Sequence, residues 1–161
     1  MELYDMGLTG QVEPGTHGSE ARTQVPASEF DSTIRIRVRP QYLPQRSDPT
    51  RPMYVFAYAI VIEYAAPAEA PSIQVIDRRW RIIDAHGEEE VVQGEGLIGQ
   101  QPVLRPGERF EYASYCPLRT SWGTMEGQFG VVTLDDDQQP GRRFLVDVNR
   151  FYLVSHQQPS T

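Results

Sequence analysis

The sequence predicts an all-β fold, an antiparallel β-sandwich of about seven strands. Short apolar segments alternate with polar residues at the two-residue period of a strand that buries one face. Thirteen glycines and thirteen prolines separate these segments with turns. No helix-length stretch free of glycine and proline has apolar residues at helical spacing, so the core is expected to contain no long helix.

The first half of the domain supplies three predicted strands. Residues 34–39 alternate strictly between apolar side chains and arginines, which predicts a half-buried strand that Pro40 ends. Residues 54–64 are apolar on both faces, which predicts a central strand covered on both sides. Residues 73–84, which include Trp80, predict the third strand, and prolines mark the connecting loops.

The second half supplies the remaining strands and a series of loops. Extended segments are predicted at residues 91–92, 109–114, 127–134, 144–148 and 151–154. Loops are predicted at residues 85–87, 93–107 and 135–141.

Residues 32–155 are expected to form one domain, with both ends of the chain outside it. Residues 1–30 contain five acidic residues and a single basic one, Arg22, without lasting apolar periodicity. This composition predicts a flexible acidic arm over residues 1–31. The alternative is an arm that docks on its own domain or on a partner. Residues 156–161 are predicted to be a disordered tail.

Composition excludes several classes of function. Twenty-two acidic residues against 15 basic ones give a net charge of −7, which argues against nucleic-acid binding. All the basic residues are arginines, so Schiff-base and P-loop lysine mechanisms are excluded. The single cysteine excludes a disulfide within the chain and a cysteine-based zinc site.

The chain is expected to be cytoplasmic, without direct membrane insertion. Residues 1–10 have neither the basic start nor the apolar core of a signal peptide. The most apolar stretch, residues 53–62, is about half the roughly 20 residues that a spanning helix requires.

Gly94, Gly96 and Gly99 match the G-x-G-x-x-G pattern of dinucleotide-binding proteins and are the weak candidates for a cofactor site. That pattern requires a helix after the third glycine, so that the helix N-terminus holds the pyrophosphate. Here Pro102 follows too soon for a helix, and Glu95 places a negative charge where phosphate would lie. The favoured interpretation is a loop whose glycines permit positive φ angles or a bulge.

No catalytic residue, cofactor or metal site is assigned, and the chain is expected not to be an enzyme. Asp135, Asp136 and Asp137 are weak candidates for a divalent metal, but they lack the ligand spacing of an EF-hand and are expected to form a solvated hairpin tip. The three histidines are widely separated. Cys116 has no evident base nearby and is expected to be a buried structural thiol.

Arg78, Arg79, Trp80 and Trp122 are the candidates for an interaction surface. Clustered arginines bind phosphate or acidic partners, or they pair with carboxylates across strands. A tryptophan packs in the core or, where exposed, marks an interface hot spot. The residues alone leave these alternatives open.

The spacing of many residues resembles one known family over residues 34–154. The residues concerned are Arg78, Trp80, Asp84 and Gly87, the glycine loop from Val92 to Gly107, then Phe110, Tyr112, Ser114, Cys116, Leu118, Thr120, Gly123, Met125 and Gly127, and finally Phe144, Val146, Val148, Phe151 and Leu153. This combination resembles the ApaG domain family. Tyr115 stands where glycine is common, and the loop at residues 135–142 and the N-terminal arm are longer than usual.

The resemblance implies a fibronectin-III or immunoglobulin-like sandwich. It also implies an association with cobalt resistance and magnesium efflux. Similar domains occur in F-box proteins and in a polymerase-interacting protein, which implies a protein-interaction module. The leading interpretation is therefore a non-enzymatic module acting through an unidentified protein partner, with homo-oligomerisation left open. The alternatives are a nucleotide- or pyrophosphate-binding enzyme or sensor that uses the glycine loop, and a direct divalent-metal sensor.

Overall fold

The computed structural model describes Tyr4–Asp5, Gln11–Pro14 and residues 33–155. These residues form ten strands and one turn of 3₁₀ helix, Pro44–Arg46. The strands are β1 (Tyr4–Asp5), β2 (Gln11–Pro14), β3 (Ile34–Tyr42), β4 (Tyr54–Tyr64), β5 (Ser72–Asp84), β6 (Glu89–Glu95), β7 (Val103–Leu104), β8 (Glu108–Leu118), β9 (Trp122–Leu134) and β10 (Pro140–Val154). Within this part of the chain, no helix is long and apolar enough to cross a membrane.

Two antiparallel sheets pack face to face, which confirms the predicted sandwich. In the first sheet the order is β8-β4-β3, and β1 and β2 pair with the outer edge of β8. In the second the order is β10-β9-β5-β6, and β7 pairs with one end of β5. β3 lies beside β10 at one side of the sandwich, so β8 and β6 form the opposite side.

The core is centred on Trp80, whose side chain has no exposed surface. The rings of Tyr58, Phe129 and Phe151 meet it at centroid distances of 5.7, 5.8 and 6.0 Å. All three contacts are edge to face, the arrangement that the aromatic quadrupole favours. This cluster joins the two sheets, because Tyr58 belongs to β4 and the other residues belong to β5, β9 and β10.

Three predicted strands differ in extent or environment. β3 continues through Pro40 to Tyr42, since it is an edge strand and a proline there need not donate to a neighbour. β4 is central, as predicted, but Ala59 on its outer face is exposed, so the strand is not covered on both sides. β10 joins the predicted segments 144–148 and 151–154 into one continuous strand, whose register shifts between Val148 and Phe151.

The predicted ends of the chain lie largely beyond what the structure describes. The tail at residues 156–161 is outside the described residues, as is the proposed arm at residues 1–31 except for β1 and β2. Those two segments pair with β8. For this part of the arm, the structure therefore has the alternative in which the arm docks on its own domain. The domain limits of 32–155 stay a prediction.

Candidate functional site

The glycine loop is a tight hairpin that uses its own backbone donors. The N–H of Gly96 donates to the carbonyl of Ile76 at 2.7 Å. Leu97 and Gln100 exchange two hydrogen bonds, of 2.6 and 2.9 Å, around a two-residue turn. The turn residues Ile98 and Gly99 have φ angles of 44° and 77°, as in a type I′ turn. The Leu97 side chain is fully buried and anchors the loop in the core.

Arg78 holds the start of this loop from the neighbouring strand. Its Nη1 donates to the carbonyls of Glu95, at 3.2 Å, and Gly96, at 3.0 Å. A Cβ added at Gly94 would lie 2.8 Å from the same nitrogen, and one added at Gly96 would lie 2.5 Å from the Gln100 carbonyl oxygen. Close packing against the backbone therefore explains Gly96, whereas the atom nearest Gly94 is the mobile end of a side chain.

The geometry of the loop favours the structural interpretation over phosphate binding. The loop is followed by the short strand β7 (Val103–Leu104) rather than by a helix, so it has no helix N-terminus to offer an anion. The guanidinium of Arg78, which could have paired with a phosphate, is engaged with backbone carbonyls. Gly94, Gly96 and Gly99 therefore lie in one loop, and hydrogen bonds within the loop and from Arg78 explain its shape without a ligand.

The acidic residues of the hairpin tip cap their own turn. The Oδ1 of Asp135 accepts hydrogen bonds from the N–H groups of Asp137, at 2.9 Å, and Gln139, at 2.8 Å. Asp136 belongs to the same exposed tip. In the part of the chain that the structure describes, no group of three or more His, Cys, Asp or Glu residues could hold a metal ion.

Cys116 is buried in β8, as predicted. Its thiol has no exposed surface, and burial raises its pKa to about 12. The thiolate is therefore strongly disfavoured near neutral pH, and the thiolate is the nucleophilic form of cysteine.

The four candidates for an interaction surface occupy different environments. Arg78 is half-buried and holds the glycine loop through Nη1, whereas Trp80 is the centre of the core and is not accessible to a partner. Arg79 and Trp122 are exposed. Both lie on the outer face of the second sheet. Arg79 is opposite Gln128 on β9, so these two residues share a face. Trp122 is an even number of positions before Gln128 on the same strand and therefore points the same way.

Trp122 lies within an exposed apolar group that we call the Trp122 cluster, formed by Trp122, Tyr152 and Val154. Trp122 is directly opposite Val154 in the β9–β10 ladder, and Tyr152 is opposite Thr124. Opposite residues in an antiparallel pair share a face, so the three side chains form one patch. They are 45%, 59% and 41% exposed, respectively.

The backbone beneath the Trp122 cluster is held by a nearly buried hydroxyl. Thr120 donates its Oγ1 hydrogen to the carbonyl of Trp122 at 2.7 Å and accepts the N–H of Ala85 at 3.0 Å. The N–H of Ser155 donates to the carbonyl of Ser121 at 3.0 Å. Turns on either side of the cluster are thus tied together, and the exposed side chains project from a fixed base.

Charged residues border the cluster on the same face. Arg81 pairs with Glu89 at 2.8 Å and with Glu126 at 3.3 Å, and Arg150 pairs with Glu126 at 3.1 Å. The hydrogen bond from Arg81 lowers the pKa of the Glu89 carboxyl, and Glu89 in turn raises the pKa of Arg81. An apolar centre with a charged border is the usual anatomy of a protein interface.

Sequence reasoning identified Trp122 but missed Tyr152 and Val154. A signal was present, because Phe151 and Leu153 are the inward positions at the end of the last strand, so Tyr152 between them and Val154 after them must point outward. Two consecutive outward apolar positions at the end of a strand are the pattern that could have revealed the cluster.

Several known proteins are similar to this chain in sequence and in fold. A family model described as the ApaG domain matches residues 44–133. Protein ApaG from Rhodospirillum centenum is 42% identical over 128 residues, which cover 80% of this chain and 92% of that relative. Protein ApaG from Anaeromyxobacter dehalogenans (strain 2CP-1) is 47% identical over 121 residues, covering 75% and 89%. The crystal structure of the putative ApaA protein from Bordetella pertussis superimposes with a TM-score of 0.68 at 39% identity, covering 78% of this chain and 95% of that one.

Proposed function

The chain belongs to the ApaG domain family, and from that premise we propose that it is a non-enzymatic protein-interaction module. It acts in cobalt and magnesium homeostasis by binding a protein partner. The observation that carries this proposal is the Trp122 cluster, an exposed aromatic patch on a fixed β-sheet face.

The Trp122 cluster has the composition expected of an interface centre. Tryptophan and tyrosine are enriched among interface hot spots because they bury a large area at little cost in side-chain entropy. Trp122 and Tyr152 expose about half of their surface in the free chain. Hydrogen bonds of the neighbouring turns hold the backbone of Trp122, so little ordering is required when a partner binds.

The chemistry-bearing residues support binding rather than catalysis. Burial keeps Cys116 in its thiol form. The glycine loop is closed by Arg78 and by its own backbone. We place the link to metal homeostasis in the partner, because among the described residues no three His, Cys, Asp or Glu side chains are arranged so that they could hold a metal ion.

Affinity capture with matched variants tests the proposal. The full-length protein is used as bait in a native bacterial lysate, beside a Trp122→Ser/Tyr152→Ser double variant. We expect the wild type to retain a partner that the double variant loses by at least tenfold. Val103→Ser is the control, because Val103 is also an exposed apolar residue but lies on β7, away from the Trp122 cluster. Equal capture by all three proteins would contradict the proposal.

Calorimetric titration with ATP and dinucleoside polyphosphates tests the nucleotide-binding alternative. We expect no binding tighter than millimolar, because the N–H groups of Gly96, Leu97 and Gln100 donate within the fold and no helix N-terminus follows the loop. A micromolar dissociation constant that Gly96→Ala abolishes would favour the alternative.

A further inference from the structure

A groove of about 900 Å³ opens on the side of the sandwich that β6 and β8 form. This volume lies within the range of sites that hold small molecules or short peptide segments. Met53 and Leu118 line its apolar base. Arginines and carboxylates both line the groove, and none of them belongs to the Trp122 cluster.

Three arginines line the groove: Arg46, Arg51 and Arg119. Arg51 pairs with Asp48 at 3.6 Å, whereas Arg46 and Arg119 have no carboxylate within 4.0 Å among the described residues. The guanidinium of Arg46 lies 4.6 Å above the ring of Tyr115, a cation–π contact that fixes its charge at the end of β8.

Four acidic residues also line the groove: Asp84, Glu88, Glu89 and Glu90. A free polyanion such as a nucleotide would meet these carboxylates at close range, and like charges brought together disfavour binding. The groove therefore suits a ligand that presents a single acidic group to the arginines and is otherwise of mixed or neutral character, as a peptide does.

The outer edge of β8 leads directly into this groove. Tyr115 lines the groove and also pairs with Tyr4 of β1. Farther along the same edge, β2 pairs with β8 from Gln11 opposite Glu111 to Pro14 opposite Glu108. Both segments run antiparallel to β8, so the edge accepts an antiparallel strand, and the N-terminal end of that strand points toward the groove.

The segment that now occupies the edge forms an interrupted ladder. Pairing of Tyr4 with Tyr115, continued without a break, would place residue 8 opposite Glu111, where Gln11 stands instead. The ladder is thus split into pieces of two and four residues in different registers. An uninterrupted strand would satisfy more of the backbone groups of β8, and strands this short contribute little on their own.

We propose that the outer edge of β8 and the adjacent groove form one strand-addition site for an extended segment of a partner protein. The segment binds antiparallel to β8 and places an acidic side chain near its N-terminal end between Arg46 and Arg119. Backbone hydrogen bonds supply affinity, and the groove supplies selectivity. β1 and β2 compete for the same edge. This site is separate from the Trp122 cluster, so it stands or falls independently of the proposed function.

A labelled peptide with the sequence of residues 1–14 is the probe, because these residues contain the two segments that pair with β8 and include the acidic Glu2 before them. It is titrated into the full chain and into a Gln11→Pro/Val12→Pro variant. Successive N–H groups in a strand point to opposite sides, so one of the two prolines must remove a donor to β8. We expect the variant to bind the peptide at least tenfold more tightly than the wild type, because its own competitor is weakened.

Arginine variants test the groove within the same proline background. Arg46→Ala/Arg119→Ala is expected to weaken peptide binding by about tenfold and to reduce its dependence on salt. Arg35→Ala is the control, since Arg35 is an exposed arginine on β3, at the other side of the first sheet. Hydrogen exchange should show that the peptide restores protection to the amides of β8.

Three results would overturn the inference. The first is the absence of saturable peptide binding to the proline variant, and the second is equal binding of a peptide with the reversed sequence. The third is a concentration-dependent dimer of the wild type that the two prolines abolish, because the occupant of the edge would then be a second copy of this chain.

Discussion

The glycine loop and the Trp122 cluster differ in whether the groups that could bind a ligand are accessible to one. The loop has a ligand-binding pattern in its sequence, yet the N–H groups of Gly96, Leu97 and Gln100 and Nη1 of Arg78 donate to carbonyls within the fold. The cluster matches no sequence motif, yet it exposes Trp122, Tyr152 and Val154 together. A sequence motif indicates binding only where the fold leaves its donors and side chains accessible. Between these two regions, the accessible side chains are those of the Trp122 cluster.

Gly96→Ala should have the largest effect on the glycine-loop side of this comparison. The new Cβ would lie 2.5 Å from the Gln100 carbonyl oxygen, at a residue whose φ is +66°. We expect a loss of about 3 kcal/mol in the free energy of unfolding, from left-handed strain together with the steric overlap. Urea denaturation measures it.

Gly99→Ala is the matched control for that substitution. Gly99 also has a positive φ, of +77°, but a Cβ there would meet nothing within 4 Å. Only the strain remains, so the expected loss is about 1 kcal/mol. If both substitutions cost the same, the close packing of the loop would not be its constraint.

Arg78→Leu should have the next largest effect. The substitution removes a charged donor and leaves the carbonyls of Glu95 and Gly96 without it. We expect a loss of about 2 kcal/mol in the free energy of unfolding. Arg79→Leu, on the exposed side of the same strand, should change stability by less than about 0.5 kcal/mol. Equal losses would indicate that Arg78 does not hold the loop.

Cys116 is a third case, a residue of a reactive type whose thiol is buried in the fold. Its pKa is about 12 in the folded chain, against an ordinary value of 9.0. As pH rises, the unfolded chain loses this proton first, so stability present below about pH 9 is lost above it. Between pH 8 and pH 10 the wild type should lose about 1.4 kcal/mol that Cys116→Ala does not lose.

Chemical denaturation at the two pH values measures that difference. A constant offset between wild type and Cys116→Ala is expected from the missing side-chain volume and does not affect the test. Rapid stoichiometric labelling of the native protein by a thiol reagent would contradict the burial on which the prediction rests.

Trp122→Ser should have the smallest effect on stability and a large effect on binding. The side chain is already 45% exposed, so we expect the free energy of unfolding to change by less than about 1 kcal/mol. Trp80→Ser, in the fully buried position, should instead cost at least about 3 kcal/mol. Thermal denaturation of the two variants compares the tryptophans directly, and similar losses would remove the distinction between them.

Local patterns predicted most of the fold because the alternation of apolar and polar residues depends on neighbours within a strand. The alternation at residues 34–39 and 109–114 identified β3 and β8 without knowledge of their partners. Strand ends were harder to predict, because they depend on position in the sheet. β3 passes through Pro40 because, among the described residues, it pairs only with β4 and is an edge strand. β9 begins at Trp122, five residues before the predicted start, because it pairs with the last residues of β10.

By itself, the sequence determined the sandwich, the burial of Cys116 and the membership of the ApaG domain family, because these follow from residue spacing along the chain. Only the tertiary structure decided that Arg78 is engaged with Glu95 and Gly96 while Arg79 is exposed, and that Trp80 is buried while Trp122 is not. The register of β9 against β10 brings Tyr152 and Val154 into one patch with Trp122. Register relates residues that are far apart in the chain, and here it depends on the turn at residues 135–139 and on the register shift between Val148 and Phe151, which the pattern within a single strand does not show.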